Sequence, residues 1–290
     1  PPDYPLYRIR KGVAEEWRSS QHSLGRKETG AMLSASPALA VYCWVLAALF
    51  GACMGSFLNC MACRMLRGES VLRDRSHCDV CGHALSARDL VPVFSYLSSR
   101  DRCRYCGAKL FSRHVWAEGV SAAVFVSLLV KYDISLQTLE AWLLASILLA
   151  CAFADLEGYI IPDRFIAAGI VLFIGHLFFA SEPMKTAVDS ALGGFAVVGV
   201  LLLFVHFMEK RMGREAMGGG DLKLLFVTGL FFGWKGNLFC LILACLIGIA
   251  WGLAAQRRSE PILWGPSIAL AAWVTALFGE QAVNWYLSLL

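Results

Sequence analysis

The sequence predicts an all-α polytopic membrane protein of about eight transmembrane helices, with a small cytoplasmic zinc-knuckle domain between the first and second. Three observations lead there. Of 290 residues, 58% are hydrophobic and only 17% charged, against roughly 45–50% apolar and about 25% charged in an average globular chain. The apolar residues gather into eight stretches near the roughly 20 residues that a helix needs to cross a hydrocarbon core of about 30 Å. One long polar segment interrupts them and carries paired cysteines. The same arithmetic argues against a soluble enzyme and excludes a disordered chain, a collagen-like chain and a small secreted disulfide scaffold.

Residues 1–31 are polar, hold six Lys/Arg and read as a doubtful N-terminal extension, an upstream translation, fragment or added remnant, because Met32 runs directly into the first apolar stretch. That stretch, 38–62 within a first segment 32–63, is longer than a signal-peptide core and shows no clear small-residue cleavage site, so it reads as a retained span. The polar segment 64–113 is the expected cytoplasmic zinc domain. Residues 114–290 form the expected transmembrane core, with apolar stretches at 114–131, 136–154, 164–181, 187–208, 221–234, 237–255 and 261–288. The stretch at 221–234 is short for an independent span and must lean on its neighbours.

Charge sets the sidedness. The segment 64–113 carries ten Lys/Arg against five acids, and cytoplasmic loops are the ones enriched in Lys and Arg. Counting crossings from there places the loops at 155–163, 209–220 and 256–260 on the same side. These hold Lys210, Arg211, Arg214, Arg257 and Arg258, whereas the opposite loops hold Lys131, Lys185 and Lys235.

Four of the eleven cysteines form a pattern: Cys78-Asp-Val-Cys81-Gly and, after 21 intervening residues, Cys103-Arg-Tyr-Cys106-Gly. Paired CxxC units offer four thiolates to one tetrahedral Zn²⁺. Gly82 and Gly107 supply the positive φ needed to turn a knuckle around a metal. Two disulfides are the competing reading, disfavoured in a reducing cytoplasm. A segment of about 50 residues has little core of its own, and a structural metal answers that need. His77 and His83 read as surface residues beside the knuckle, and Cys60 and Cys63 as small packing residues of the first span.

Ionisable residues at a span are costly and point to function. Asp155 closes the third apolar stretch in Ala154-Asp155-Leu156-Glu157-Gly158, where the helix dipole disfavours an anion. Asp221 opens the sixth after Gly218-Gly219-Gly220, three glycines that leave room for an extended peptide to approach. Asp163, in Pro162-Asp163-Arg164, reads as a helix N-cap. Acids at opposite helix ends sit in different fields, the asymmetry that a water-activating carboxylate pair uses. No HExxH, GxSxG or Walker pattern competes.

These residues resemble a known family. GSFLNCMACRML at 55–66, the two CxxCG units, PVFSYLSSRDRCRYCG at 92–107, ADLEGYIIPD at 154–163, MGGGDLKLL at 217–225 and GPSIALAA at 265–272 together resemble the type IV prepilin peptidases, members of the GxGD class of membrane aspartyl proteases. The resemblance runs in unbroken order from about residue 50 to 275. It implies an endopeptidase of the bacterial inner membrane that removes the basic leader of type IV prepilins and pseudopilins on the cytoplasmic side. Asp155 and Asp221 would be its catalytic pair, with Gly218, Gly219, Gly220 and Lys223 forming the loop beside substrate. Relatives with the cysteine domain also N-methylate the new N-terminus from S-adenosyl-L-methionine, so Zn²⁺ and that methyl donor are the implied cofactors. No glycine-rich dinucleotide-type loop marks the donor's pocket. Prepilins and the lipid bilayer are the expected partners, and nucleic acid is not. Glu69, Glu157 and Glu215 are acids that could attract a basic leader. The departures are Cys60, Cys63 and Trp264, where relatives carry other residues. Two alternatives stand beside this reading: a GxGD intramembrane protease of another substrate class, which usually lacks the knuckles, and a zinc-ribbon membrane transporter, whose acids belong near mid-membrane.

Overall fold

The structure is a computed structural model, and it describes residues 33, 36–69, 80–84, 103–108, 113–213, 217–254 and 263–289. Residues 1–31, Cys78, Glu215, the loop 256–260 and most of the segment 64–113 lie outside the described residues. From Trp44 to Leu290 the chain is one compact unit, with residues up to Cys43 forming another. The larger unit carries both acids and the cysteine pattern.

The described residues build seven helices: α1 Pro37–Arg67, α2 Arg113–Tyr132, α3 Leu136–Gly158, α4 Asp163–Phe179, α5 Pro183–Met212, α6 Gly219–Ala254 and α7 Trp264–Leu289. The apolar stretches coincide with them to within a few residues, the sixth and seventh sharing α6. Five of the helices, α1, α2, α3, α5 and α6, are long and apolar enough to cross a membrane by length and composition. The fold is therefore that of a polytopic, all-helical membrane protein.

Helix ends follow from local chemistry. Ser135 caps α3 by accepting the Thr138 N–H at 3.2 Å, and α3 stops where Tyr159 turns left-handed and donates its N–H to the Asp155 carbonyl at 2.9 Å. Pro162 then precedes α4, whose first turn carries Asp163. In α6, Gly233 adopts φ 64°, ψ −175° and breaks the helix into two runs, so two apolar stretches become one bent element.

Small residues let the helices approach closely, as expected where lipid rather than water surrounds the bundle. A Cβ on Gly55 of α1 would lie 2.5 Å from the Ala117 carbonyl oxygen of α2, and one on Gly193 of α5 would lie 2.4 Å from the Gly229 carbonyl oxygen of α6. The core joins Ala150, Cys151 and Ala154 of α3 to Leu224, Leu225 and Val227 of α6 and to Ile268, Ala271 and Ala272 of α7. On the outer surface Phe178 is 82% and Leu203 74% exposed, an apolar coat that a soluble monomer does not carry and lipid would cover.

Among the polar groups buried in this apolar setting, Asn237 sits where two helices are irregular. α5 makes a π-helical turn at Leu192–Ala196 opposite the break in α6. Asn237, fully buried, donates from Nδ2 to the carbonyls of Gly193 (2.9 Å) and Leu225 (3.2 Å), and its Oδ1 accepts the Thr228 hydroxyl at 2.9 Å. A single amide thereby satisfies carbonyls on both irregular helices.

Candidate active site

Helix ends position both acids. Asp155 occupies the last turn of α3 and is 7% exposed. A carboxylate there faces the negative end of its own helix, and α7 supplies the opposite polarity: the Gly265 N–H, at its N-terminus, donates to Asp155 Oδ2 at 2.9 Å. Asp221 lies in the first turn of α6, where its backbone N–H donates to the Gly218 carbonyl at 3.1 Å. The loop that follows Asp155 packs against the residue before Asp221, since a Cβ on Gly220 would lie 3.0 Å from Ile161 Cβ, so the chain brings two acids separated by 66 residues in sequence to neighbouring helix ends. Among the described residues no donor reaches Asp221 Oδ1.

The glycines before Asp221 do three different things. A Cβ on Gly218 would come within 2.9 Å of Asp221 Oδ2, a Cβ on Gly220 within 3.0 Å of Ile161 Cβ, and a Cβ on Gly219 meets nothing within 4 Å. Among the described residues, room for an approaching chain is therefore confined to Gly219. Gly218 makes space for the carboxylate itself, and Gly220 makes space for the loop between α3 and α4. That loop is held from a second side, since a Cβ on Gly158 would lie 3.0 Å from the Leu66 side chain at the end of α1.

Asp163 does not take the N-cap position expected for it. Pro162 occupies that position, and Asp163 is the first residue of α4, its Oδ1 accepting from Lys223 Nζ at 2.6 Å. Lys223 is thus engaged with Asp163 rather than standing alone beside the glycines. The pair ties the loop after Asp155 to the helix that bears Asp221.

The cysteine cluster lies in the polar segment. The Sγ atoms of Cys81, Cys103 and Cys106 are all within 4.8 Å of one another. Sulfurs around a tetrahedral zinc with Zn–S of about 2.3 Å stand about 3.8 Å apart, so the three residues fit a metal ion. Gly82 (φ 69°) and Gly107 (φ 71°) take the left-handed conformation the knuckles require. The second turn closes with the Gly107 N–H on the Cys103 carbonyl at 2.9 Å and the Cys103 N–H on the Ala108 carbonyl at 2.8 Å. His83 is exposed and stacks on Tyr105 at 3.7 Å between ring centroids, outside the thiol cluster.

Gly265 is the site residue that sequence reasoning left without a role. Its signal was a Gly-Pro pair opening the last apolar stretch, which the helix-start preference for proline explains and which says nothing of a carboxylate 110 residues away.

A polytopic helical bundle with one buried and one half-buried acid at helix ends, together with a thiol cluster in its polar segment, defines a membrane protein with ionisable groups set at the ends of its helices. The profile described as Bacterial Peptidase A24 N-terminal domain matches residues 49–132, and that of the Type IV leader peptidase family matches residues 142–253. Among curated proteins, a prepilin leader peptidase/N-methyltransferase of Aeromonas salmonicida (strain A449) is 32% identical over 74% of this chain and 75% of its own length. One from Bacillus subtilis (strain 168) is 29% identical over 83% of this chain and 96% of its own, and one from Myxococcus xanthus (strain DK1622) is 32% identical over 78% and 66%. No solved structure matches the chain. The chain belongs to the type IV leader peptidase family and is a multi-pass membrane protein.

Proposed function

We propose that this chain cleaves the leader of type IV prepilins or pseudopilins with Asp155 and Asp221 as its catalytic dyad, and N-methylates the new N-terminus. The observation that supports the dyad is the packing of the two helix ends: Asp155 closes α3, Asp221 opens α6, and Ile161 of the loop after Asp155 lies against Gly220, the residue before Asp221. Peptide hydrolysis needs one group to take a proton from the attacking water while another donates a hydrogen bond to the scissile carbonyl. A carboxylate pair sharing one proton does both, and the roles reverse when the amine leaves. The two acids titrate as a unit. Their place in the last turn of α3 and the first turn of α6 suits a peptide bond presented at the membrane boundary, whereas an ion path asks for acids at mid-membrane.

The topology that goes with this function is eight spans, with α6 crossing twice about its break at Gly233, in the bacterial inner membrane. The Lys/Arg-rich segment 64–113 and the acid-bearing helix ends then share the cytoplasmic side. Prepilins present a hydrophobic helix to the bundle and keep their basic leader in the cytoplasm, beside acids such as Glu69 and Glu157. Cys78 joins Cys81, Cys103 and Cys106 as the fourth ligand of one Zn²⁺, which supplies folding energy to the segment. S-adenosyl-L-methionine is the methyl donor.

The test is cleavage of a purified prepilin by the full chain in detergent or liposomes. Asp155→Asn and Asp221→Asn each abolish cleavage while the protein stays folded, since neither remaining acid can both accept and supply the proton. A folded variant of either kind that cleaves at near the parent rate overturns the dyad.

A further inference from the structure

We propose that Gly265 is a positioning residue for the cleavage reaction, its backbone holding the Asp155 carboxylate in the one orientation that faces Asp221. The inference rests on the dyad reading and specifies how one member is held.

Two observations carry it. The Gly265 N–H donates to Asp155 Oδ2 at 2.9 Å, a hydrogen bond to a carboxylate with only 7% of its residue surface exposed. Hydrogen bonds of this kind are shorter and stronger than neutral ones. The second is the closeness of approach. A Cβ on Gly265 would lie 2.8 Å from Asp155 Oδ2, 2.9 Å from its Cβ and 3.0 Å from its Cγ, so the whole carboxyl group rests against the Gly265 backbone. Gly265 is not among the glycines with positive φ, and its backbone conformation is open to any residue. Glycine is therefore needed here for the absence of a side chain rather than for the turn it makes.

The rest of α7 fixes that backbone in place. Ile268, Ala271 and Ala272, one turn and two turns further on, are fully buried in the core against α3 and α6. Asp221 lacks an equivalent: among the described residues no donor reaches its Oδ1. The dyad therefore has one acid clamped by a third helix and one acid whose buried Oδ1 has no donor among the described residues.

The experiment is a steady-state analysis of Gly265→Ala in the full chain, with Gly279→Ala as the comparison. Gly279 lies in α7 too, and its Cβ would press on the Thr275 methyl at 2.8 Å, far from either acid in sequence. Gly265→Ala displaces the Asp155 carboxylate, and misplacing a reacting group by a fraction of an ångström to 1 Å costs up to about 100-fold in rate. The expected result is a fall in kcat of roughly 10- to 100-fold with KM for prepilin within about twofold, while methylation of an already cleaved pilin persists and Gly279→Ala cleaves like the parent. In the Asp155→Asn background, Gly265→Ala leaves the Kd for uncleaved prepilin unchanged, a measurement that needs no turnover. A parent-like kcat in Gly265→Ala, an equal loss in Gly279→Ala, or a changed Kd in the double variant each overturns the positioning role. Active Asp155→Asn indicts the dyad itself; inactive Asp155→Asn with active Gly265→Ala indicts the positioning alone.

Discussion

A carboxylate in the last turn of a helix is held there against its own dipole, and Asp155 shows the local answer: an N–H from the start of another helix at 2.9 Å. Its partner Asp221 is shaped instead by the absence of side chains before it. The three glycines separate by what a methyl group would meet. Gly219→Ala enters open space in the first helical turn and should cleave within about threefold of the parent, while Gly218→Ala pushes on the Asp221 carboxylate and Gly220→Ala on Ile161. Those two should lose cleavage by roughly 10-fold or more, as expected when a reacting group is displaced. Equal effects at all three positions, measured on one prepilin substrate, would show that the glycines act only through flexibility. The Lys223–Asp163 pair belongs to the same scale and is modest: both side chains are at least half exposed, and exposed pairs contribute about 0.2–1 kcal/mol.

At the scale of elements, the bend of α6 decides where Asp221 ends up. Gly233 takes φ 64°, and a Cβ there would lie 2.0 Å from Asp189 Oδ2, so the break admits only glycine. Around it Asn237 serves carbonyls on α5 and α6 that regular helix geometry would have paired internally. Asn237→Leu leaves the Gly193 carbonyl short of a partner in an apolar core, while the Thr228 hydroxyl keeps its bond to the Leu225 carbonyl. A loss of about 1–3 kcal/mol of stability is expected, read as a lowered midpoint of thermal unfolding in detergent, with cleavage at low temperature retained. An unchanged midpoint would mean that water or another donor replaces the amide. The sequence read as two apolar stretches, 221–234 and 237–255, the first of them short for an independent span. In the structure the break at Gly233 divides it into two helical runs.

For the whole molecule, zinc and topology are the measurable consequences. Purified protein should hold one Zn²⁺ per chain, and Cys103→Ser or Cys106→Ser should lose it, loosening the polar segment and impairing methylation while cleavage partly survives, because the two acids lie elsewhere. Metal-free protein with two intact disulfides would refute the site. Cysteine-accessibility labelling should place residues 133 and 184 on the opposite side of the membrane from residue 90; finding either on the same side would break the eight-span arrangement. Composition and period by themselves determined that the chain is helical and built for lipid, since burying so many apolar side chains in runs of about 20 has no other solution. Spacing by itself determined the thiol cluster, because CxxC followed by glycine encodes a turn whose geometry is local: Cys103, Gly107 and Ala108 close it with bonds that span five residues or fewer. Asp155 and Asp221 were legible as unusual acids for the same reason, each at the edge of an apolar run. What only the tertiary structure decided is which groups those acids meet. Gly265 reaches Asp155 across 110 residues, Lys223 takes Asp163 across 60, and Ile161 fills the space beside Gly220. Such contacts depend on how α3, α4, α6 and α7 pack through small buried residues, and packing of that kind leaves no periodic trace in the chain.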